Sequence, residues 1–152
     1  MMNYYIYEIE LYKILIASDE NIITCVKCIE TFDGVKKASA LTDKAAKQLD
    51  EYFTGKRRIF DLPLNPQGTE FQKAVWNALL TVPYGETASY KQIAERIGNP
   101  KACRAVGIAN NKNPIWIIIP CHRIIGAGGQ LVGYGGGLEM KEKLLKLEKS
   151  LL

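Results

Sequence analysis

Apolar and polar positions interleave along the first 30 residues in three runs, NYYIYEI, YKILIAS and IITCVKCI, rich in β-branched and aromatic residues and broken by a turn-like DEN. Such runs predict the strands of a small antiparallel sheet. The pattern then changes to helical spacing in LTDKAAKQLDEYF, for which Thr42 is the predicted N-cap and Gly55 lies past the end. A Pro/Asn/Gly-bearing stretch, LPLNPQGTE, interrupts the periodicity at residues 62 to 70. Beyond it, TEFQKAVWNALLTV places Phe71, Val75, Ala78 and Leu79 on one face, with Thr69 as N-cap and a stop before Pro83. Two shorter helices follow, SYKQIAERI and KACRAVGIANN, joined by GNP in a helix-turn-helix pattern. WIIIP reads as a buried strand that Pro120 must end, because proline cannot donate to a sheet ladder.

In GLEMKEKLLKLEKSLL, 100° steps put Lys143, Lys146, Lys149, Glu139 and Glu142 on one arc and Leu138, Met140, Leu144, Leu145 and Leu147 on the other. The fold class is therefore α/β of the α+β kind: a small N-terminal antiparallel sheet with a helix, then a mostly helical C-terminal domain containing a helix-turn-helix. The boundaries are residues 1–62, a linker at 63–68, and 69–152.

Composition narrows the class. With 152 residues, 47% of them hydrophobic, the chain can build a packed core. Nothing approaches the roughly 20 apolar residues that span a bilayer, and MMNYYIYEIE lacks the features of a secretion leader, so a cytoplasmic protein is expected. Net charge is only +4, but residues 1–65 carry 9 Lys+Arg against 10 Asp+Glu while residues 66–152 carry 11 against 6. A polyanion partner belongs with the second half. Lys101, Arg104, Gly107, Ile108 and Asn111 fall on one side of the second short helix, a surface basic but nearly bare. That suits close approach to a sugar-phosphate backbone or minor groove, with Arg104 as the single probe, better than major-groove reading.

Four cysteines in a chain of this kind are not a disulfide framework. Cys25 and Cys28 form a CxxC, but zinc needs four ligands and the chain has one histidine, so no metal is expected; two buried, apolar cysteines are the simpler reading. Cys121 could likewise be core, but it sits on the turn after Pro120 and beside His122. A thiol is only a few per cent thiolate at neutral pH, and an imidazole can supply the base it needs, more readily through a water than by direct contact. Glu148 falls within the apolar arc of the last helix, where a carboxylate must be paired; His122 is the attractive partner, giving a Cys, His, Glu relay, and the alternative is a helix-end residue that reaches solvent.

PCHRI with the preceding Asn113, RAVG in the second short helix, and GYGGGLEMKEKLLKLE together resemble the O6-alkylguanine-DNA alkyltransferases, over roughly residues 65 to 150. The resemblance implies single-turnover DNA repair without a cofactor by a monomer, acting on double-stranded DNA that contains O6-alkylguanine. It makes Cys121 the alkyl acceptor, His122 its activator through water, Glu148 the group that orients His122, and Tyr90 the proton donor to the departing guanine oxygen. Arg104 corresponds to the arginine that fills the stack after the base is flipped out, with Lys101, Ala105, Gly107 and Asn111 beside it on the DNA side. Asn113 braces the active-site turn, and Ile124, Tyr134 and Gly135 complete the pocket. Gly135 stands where some members have serine and Trp116 where some have proline; the zinc ligands of some members have no counterpart. Two other functions compete: a lesion sensor or DNA-binding module without chemistry, which the cysteine at 121 disfavours, and a cysteine hydrolase built on Cys121, His122 and Glu148.

Overall fold

The computed structural model describes residues 2–130, 134 and 137–151. It divides into two compact units, Met1–Gln67 and Gly68–Leu152. In the first, β1 (Met2–Ile9), β2 (Tyr12–Asp19) and β3 (Ile22–Cys28) form an antiparallel sheet in that order, with a register shift at Ala17/Ser18. The first hairpin turns through Glu10 and Leu11, both at positive φ (59° and 113°). Central strand β2 is buried continuously from Ile14 to Ser18. Helix α1 (Ala40–Phe53) packs on the sheet through Ala45, Leu49, Tyr52 and Phe53.

Ser39, not Thr42, caps α1. The Ser39 hydroxyl accepts from the Thr42 amide and the Thr42 hydroxyl accepts from the Ser39 amide, so threonine fills the N3 position of a capping box. The proline-bearing segment is also tied down. Ile23 N–H donates to Pro63 O (2.8 Å), Asn65 N–H donates to Ile23 O (2.8 Å), and the Gln48 side chain clasps the backbone of Asp61. Cys25 and Cys28 are not joined in a disulfide and are half-buried rather than buried, both on β3.

The second unit contains α2 (Glu70–Leu79), β4 (Ala88–Ser89), α3 (Tyr90–Arg96), α4 (Cys103–Asn111), a 3-10 turn (Cys121–Arg123), β5 (Ile124–Ile125) and α5 (Leu138–Ser150). Thr69 and Ser89 close capping boxes on α2 and α3 with Gln72 and Gln92. Gly98, at φ 76°, turns the chain from α3 toward α4 and so completes the helix-turn-helix. Val75, Trp76, Leu79, Ile93, Val106 and Ile115 are core, and Phe71 is half-buried. Trp76 Nε1–H donates to Ala109 O (2.9 Å), pinning the inner face of α4 to α2. On α5 the buried residues are Met140, Lys141, Leu144 and Glu148, whereas Leu138, expected on the apolar arc, is 49% exposed at the first turn.

Among the described residues no helix is long and apolar enough to cross a membrane, and no group of three or more His, Cys, Asp or Glu side chains could hold a metal.

Candidate active site

The expected WIIIP strand is instead a buried, tightly folded loop. Ile117 lies at φ 71°, and Ile118 N–H and Cys121 N–H each donate two residues back, to Trp116 O (2.7 Å) and Ile119 O (2.8 Å). Apolar content alone could not distinguish strand from buried loop. The loop keeps its shape because Asn113, buried at its entrance, donates to Ile115 O (3.1 Å) and Ile119 O (2.9 Å) and accepts from Ile115 N–H (3.0 Å). One amide side chain thus takes the place of the missing strand partner.

Cys121 therefore sits at the start of a 3-10 turn, 3% exposed. β5 follows at once and pairs in parallel with β4, Ile124 with Ala88 and Ile125 with Ser89. That pairing brings Tyr90, first residue of α3, to the cysteine: the hydroxyl of Tyr90 is pushed above its ordinary pKa by burial and then by the Cys121 charge. Its ring lies under Gly107 of α4, where a β-carbon would stand 3.6 Å from it. Asn110 of α4 donates to Cys121 O (3.3 Å), while its buried Oδ1 has no hydrogen-bond partner.

His122 is fully buried, and its Nε2 meets Glu148 Oε2 at 2.6 Å. Burial lowers the imidazole pKa despite the carboxylate, so the neutral ring donates Nε2–H to Glu148 and keeps an acceptor at Nδ1. That nitrogen is buried with no hydrogen-bond partner. Glu148 is held from three sides: Arg123 donates Nε–H to Oε1 (2.8 Å) and Nη2–H to Oε2 (3.0 Å), and Gly85 N–H donates to Oε1 (3.2 Å). Burial opposes the carboxylate charge, but His122 and then Arg123 outweigh it and bring the carboxyl to about 2. Arg123 in turn donates Nη1–H to Val82 O (2.8 Å) and lies 5.7 Å from the centre of the Tyr84 ring.

Lys141, one helix face with Leu144 and Glu148, is fully buried and donates to Ile124 O. Burial lowers it to about 8, against the pull of the Cys121 charge. The thiol itself is pushed up to about 11 by burial, which outweighs the opposing effects of the Asn113 amide and the Lys141 charge. At rest the sulfur is a protonated thiol, with the Lys141 charge close enough to act on it.

The structure brings Cys121, His122, Glu148, Tyr90, Asn113, Ile124 and Tyr134 together. Ile124 is fully buried, and Tyr134 is half-buried with its ring 5.9 Å from that of Trp116. Gly135 lies outside the described residues. Arg104, Ala105 and Asn111 are exposed on the outer side of α4, Gly107 is half-exposed, and Lys101 is exposed in the turn before it. Sequence reasoning missed the roles of Arg123, Asn110 and Lys141. For Lys141 a signal existed, since 141, 144 and 148 stand at i, i+3 and i+7.

Comparison with known proteins settles what this arrangement belongs to. Residues 70–150 match the DNA binding domain of 6-O-methylguanine DNA methyltransferase, and residues 2–66 match its ribonuclease-like domain. The chain belongs to this methyltransferase family. It is 53% identical to the methylated-DNA-protein-cysteine methyltransferase of Methanosarcina acetivorans over 155 residues, 98% of this chain and 99% of that one. The crystal structure of the Mycobacterium tuberculosis O6-methylguanine methyltransferase superposes with a TM-score of 0.91 at 44% identity, covering 100% of this chain and 95% of that one. The structure of Mycobacterium tuberculosis OGT in complex with DNA gives 0.91 at 45%, covering 98% and 94%. The methyltransferase DNA-binding match, 70–150, contains every site residue named above.

Proposed function

We propose that the protein repairs double-stranded DNA by moving an alkyl group from O6 of guanine to its own Cys121, once per molecule. The observation that carries this reading is the convergence on one turn of a buried thiol, a His122–Glu148 pair with an open imidazole acceptor, and Tyr90. In the reaction, His122 Nδ1 takes the thiol proton through a water, and the sulfur attacks the alkyl carbon. The C–S bond forms as the carbon–O6 bond breaks with its electron pair going to the guanine oxygen, and Tyr90 gives a proton to the departing base. The His122 proton then restores Tyr90, so the net transfer is of the thiol proton to guanine. Glu148 fixes the imidazole tautomer, and Arg123 and Gly85 hold Glu148. Lys141 stabilises the thiolate once formed, and Asn113 braces the turn.

An alkylated base inside a duplex hides its reactive carbon, so the nucleotide must leave the stack. Arg104 fills the gap, with Ala105, Gly107 and Asn111 against the DNA backbone and Lys101 at its edge. Ile124 and Tyr134 line the base pocket. The chemistry belongs to residues 69–152, and residues 1–62 form a separate domain joined through 63–68. A cytoplasmic monomer is the working form: every residue assigned a role lies within one unit, and none of the four cysteines is in a disulfide.

The test is peptide mass mapping after incubation with a duplex bearing one O6-methylguanine. One methyl on the Cys121 peptide, stopping at one per protein, is expected, and Cys121→Ala should bind the duplex without gaining mass. Lesion binding by the wild type with no mass change would leave a sensor and sink the transfer reading.

A further inference from the structure

Helix α4 turns Arg104, Ala105, Ile108 and Asn111 outward. Ile108 is 57% exposed. Isolated apolar residues on a surface are ordinary, so exposure alone decides nothing. Its company does. Ile108 stands one helical turn from Arg104, and side chains at i and i+4 are neighbours, about 5–6 Å apart at Cβ. The other exposed residues of this helix are small or polar.

With more than half of its surface in water, the isoleucine contributes less to folding than a core residue would. A β-branched residue is a poorer helix former than alanine, and α4 has no side-chain N-cap to compensate. The adjacent residues, by contrast, are fixed: Ala109 O accepts from Trp76 and Asn110 donates to the Cys121 carbonyl. Ile108 is thus presented at a set position relative to the turn that carries the thiol. Its exposed apolar atoms leave water only when something covers α4.

We propose that Ile108 is a positioning residue for repair in duplex DNA. It packs as an apolar wedge against sugar and base edges of the minor groove beside the extruded nucleotide, holding the groove open while Arg104 occupies the stack. Apolar side chains serve as wedges in many minor-groove binders. The inference rests on the alkyl-transfer reading above and adds to it a residue that touches neither the thiol nor the alkyl carbon.

The experiment compares rates of transfer to Cys121 from a duplex containing O6-methylguanine and from free O6-benzylguanine, for the wild type, Ile108→Ala and Ile108→Leu. Ile108→Ala should slow the duplex reaction roughly tenfold, the scale of losing most of one buried aliphatic side chain, while leaving the free-base rate and the thermal midpoint unchanged. Ile108→Leu should retain most of the duplex rate. An unimpaired duplex rate in Ile108→Ala, or a parallel fall with free base, would overturn the wedge while leaving alkyl transfer intact. No transfer by the wild type from either substrate would overturn the reading on which the wedge depends.

Discussion

The two units bury different kinds of polar group. In the first, the buried polar residues among those described are Ser18, Thr42 and Gln48, all neutral. Thr42 and Gln48 serve local structure, one in a cap and the other at a backbone clasp. In the second they are Asn110, Asn113, His122, Arg123, Lys141 and Glu148. Three of these six are long side chains that ordinarily carry charge, and all six lie around one short turn. Burying such groups costs free energy even when they are paired, and an apolar core of the same volume would be at least as stable. Stability therefore accounts for the first set and not for the second, which identifies where the molecule gives up stability for chemistry.

The sharpest way to break this contrast is Glu148→Ala. It strands Arg123 and His122 without their shared carboxylate, and a loss of about 3–5 kcal/mol in urea denaturation is expected, as for other broken buried pairs. A loss below about 1 kcal/mol would mean that the three groups do not act as one cluster. The pH dependence has a definite sign. The folded carboxyl titrates near 2, below its ordinary value of 4.5, so its contribution is complete above about 4.5 and disappears as pH falls toward 2. The variant should lack that part of the acid-dependent loss.

How much of this was legible in the chain follows the same division. The three strands, the helix after them and the helix-turn-helix rest on local periodicity, and they form as the residues dictate. The cap of α1 was misplaced by three residues because Ser39 and Thr42 are both good capping residues and only their reciprocal bonding distinguishes them. The Glu148–His122 pair was legible because a carboxylate on an apolar arc demands a partner. The folded loop at Trp116–Ile119 was not, since the hydrogen bonds that replace a strand come from Asn113, a side chain outside the run. Nor was Arg123, whose engagement with Glu148 spans 25 positions and has no periodicity to announce it.

Lys141 offers a subtler test of the second unit. Burial lowers its folded value to about 8 from 10.5, so between those limits the unfolded chain holds more protons and stability rises with pH. The slope contributed by this one group is at most about 1.4 kcal/mol per pH unit. Cys121 and Cys28, both pushed up to about 11, act in the opposite direction above about pH 9. The quantity to measure is therefore the difference in unfolding free energy between wild type and Lys141→Met from pH 7 to 10.5. A difference that shifts in favour of wild type through this window is expected; a flat one would place the ammonium in water.

The smallest effect is expected where the first unit departs from its own rule. Leu11 is fully exposed at φ 113°, in a hairpin turn that would be relaxed with glycine. The second unit has a counterpart in Ile117 at φ 71°, but that side chain is 1% exposed, in the loop that leads to Cys121. Removing strain there would also empty the core. At Leu11 there is no packing to lose, so Leu11→Gly should stabilise the protein by about 1 kcal/mol in denaturant titration, the backbone strain released exceeding the added freedom of the unfolded chain. Alkyl transfer should be unchanged, because the turn belongs to the unit that contains none of the reacting groups. Destabilisation instead would show that the exposed leucine has a partner, and would weaken the division between a first unit built for stability and a second that departs from it around Cys121.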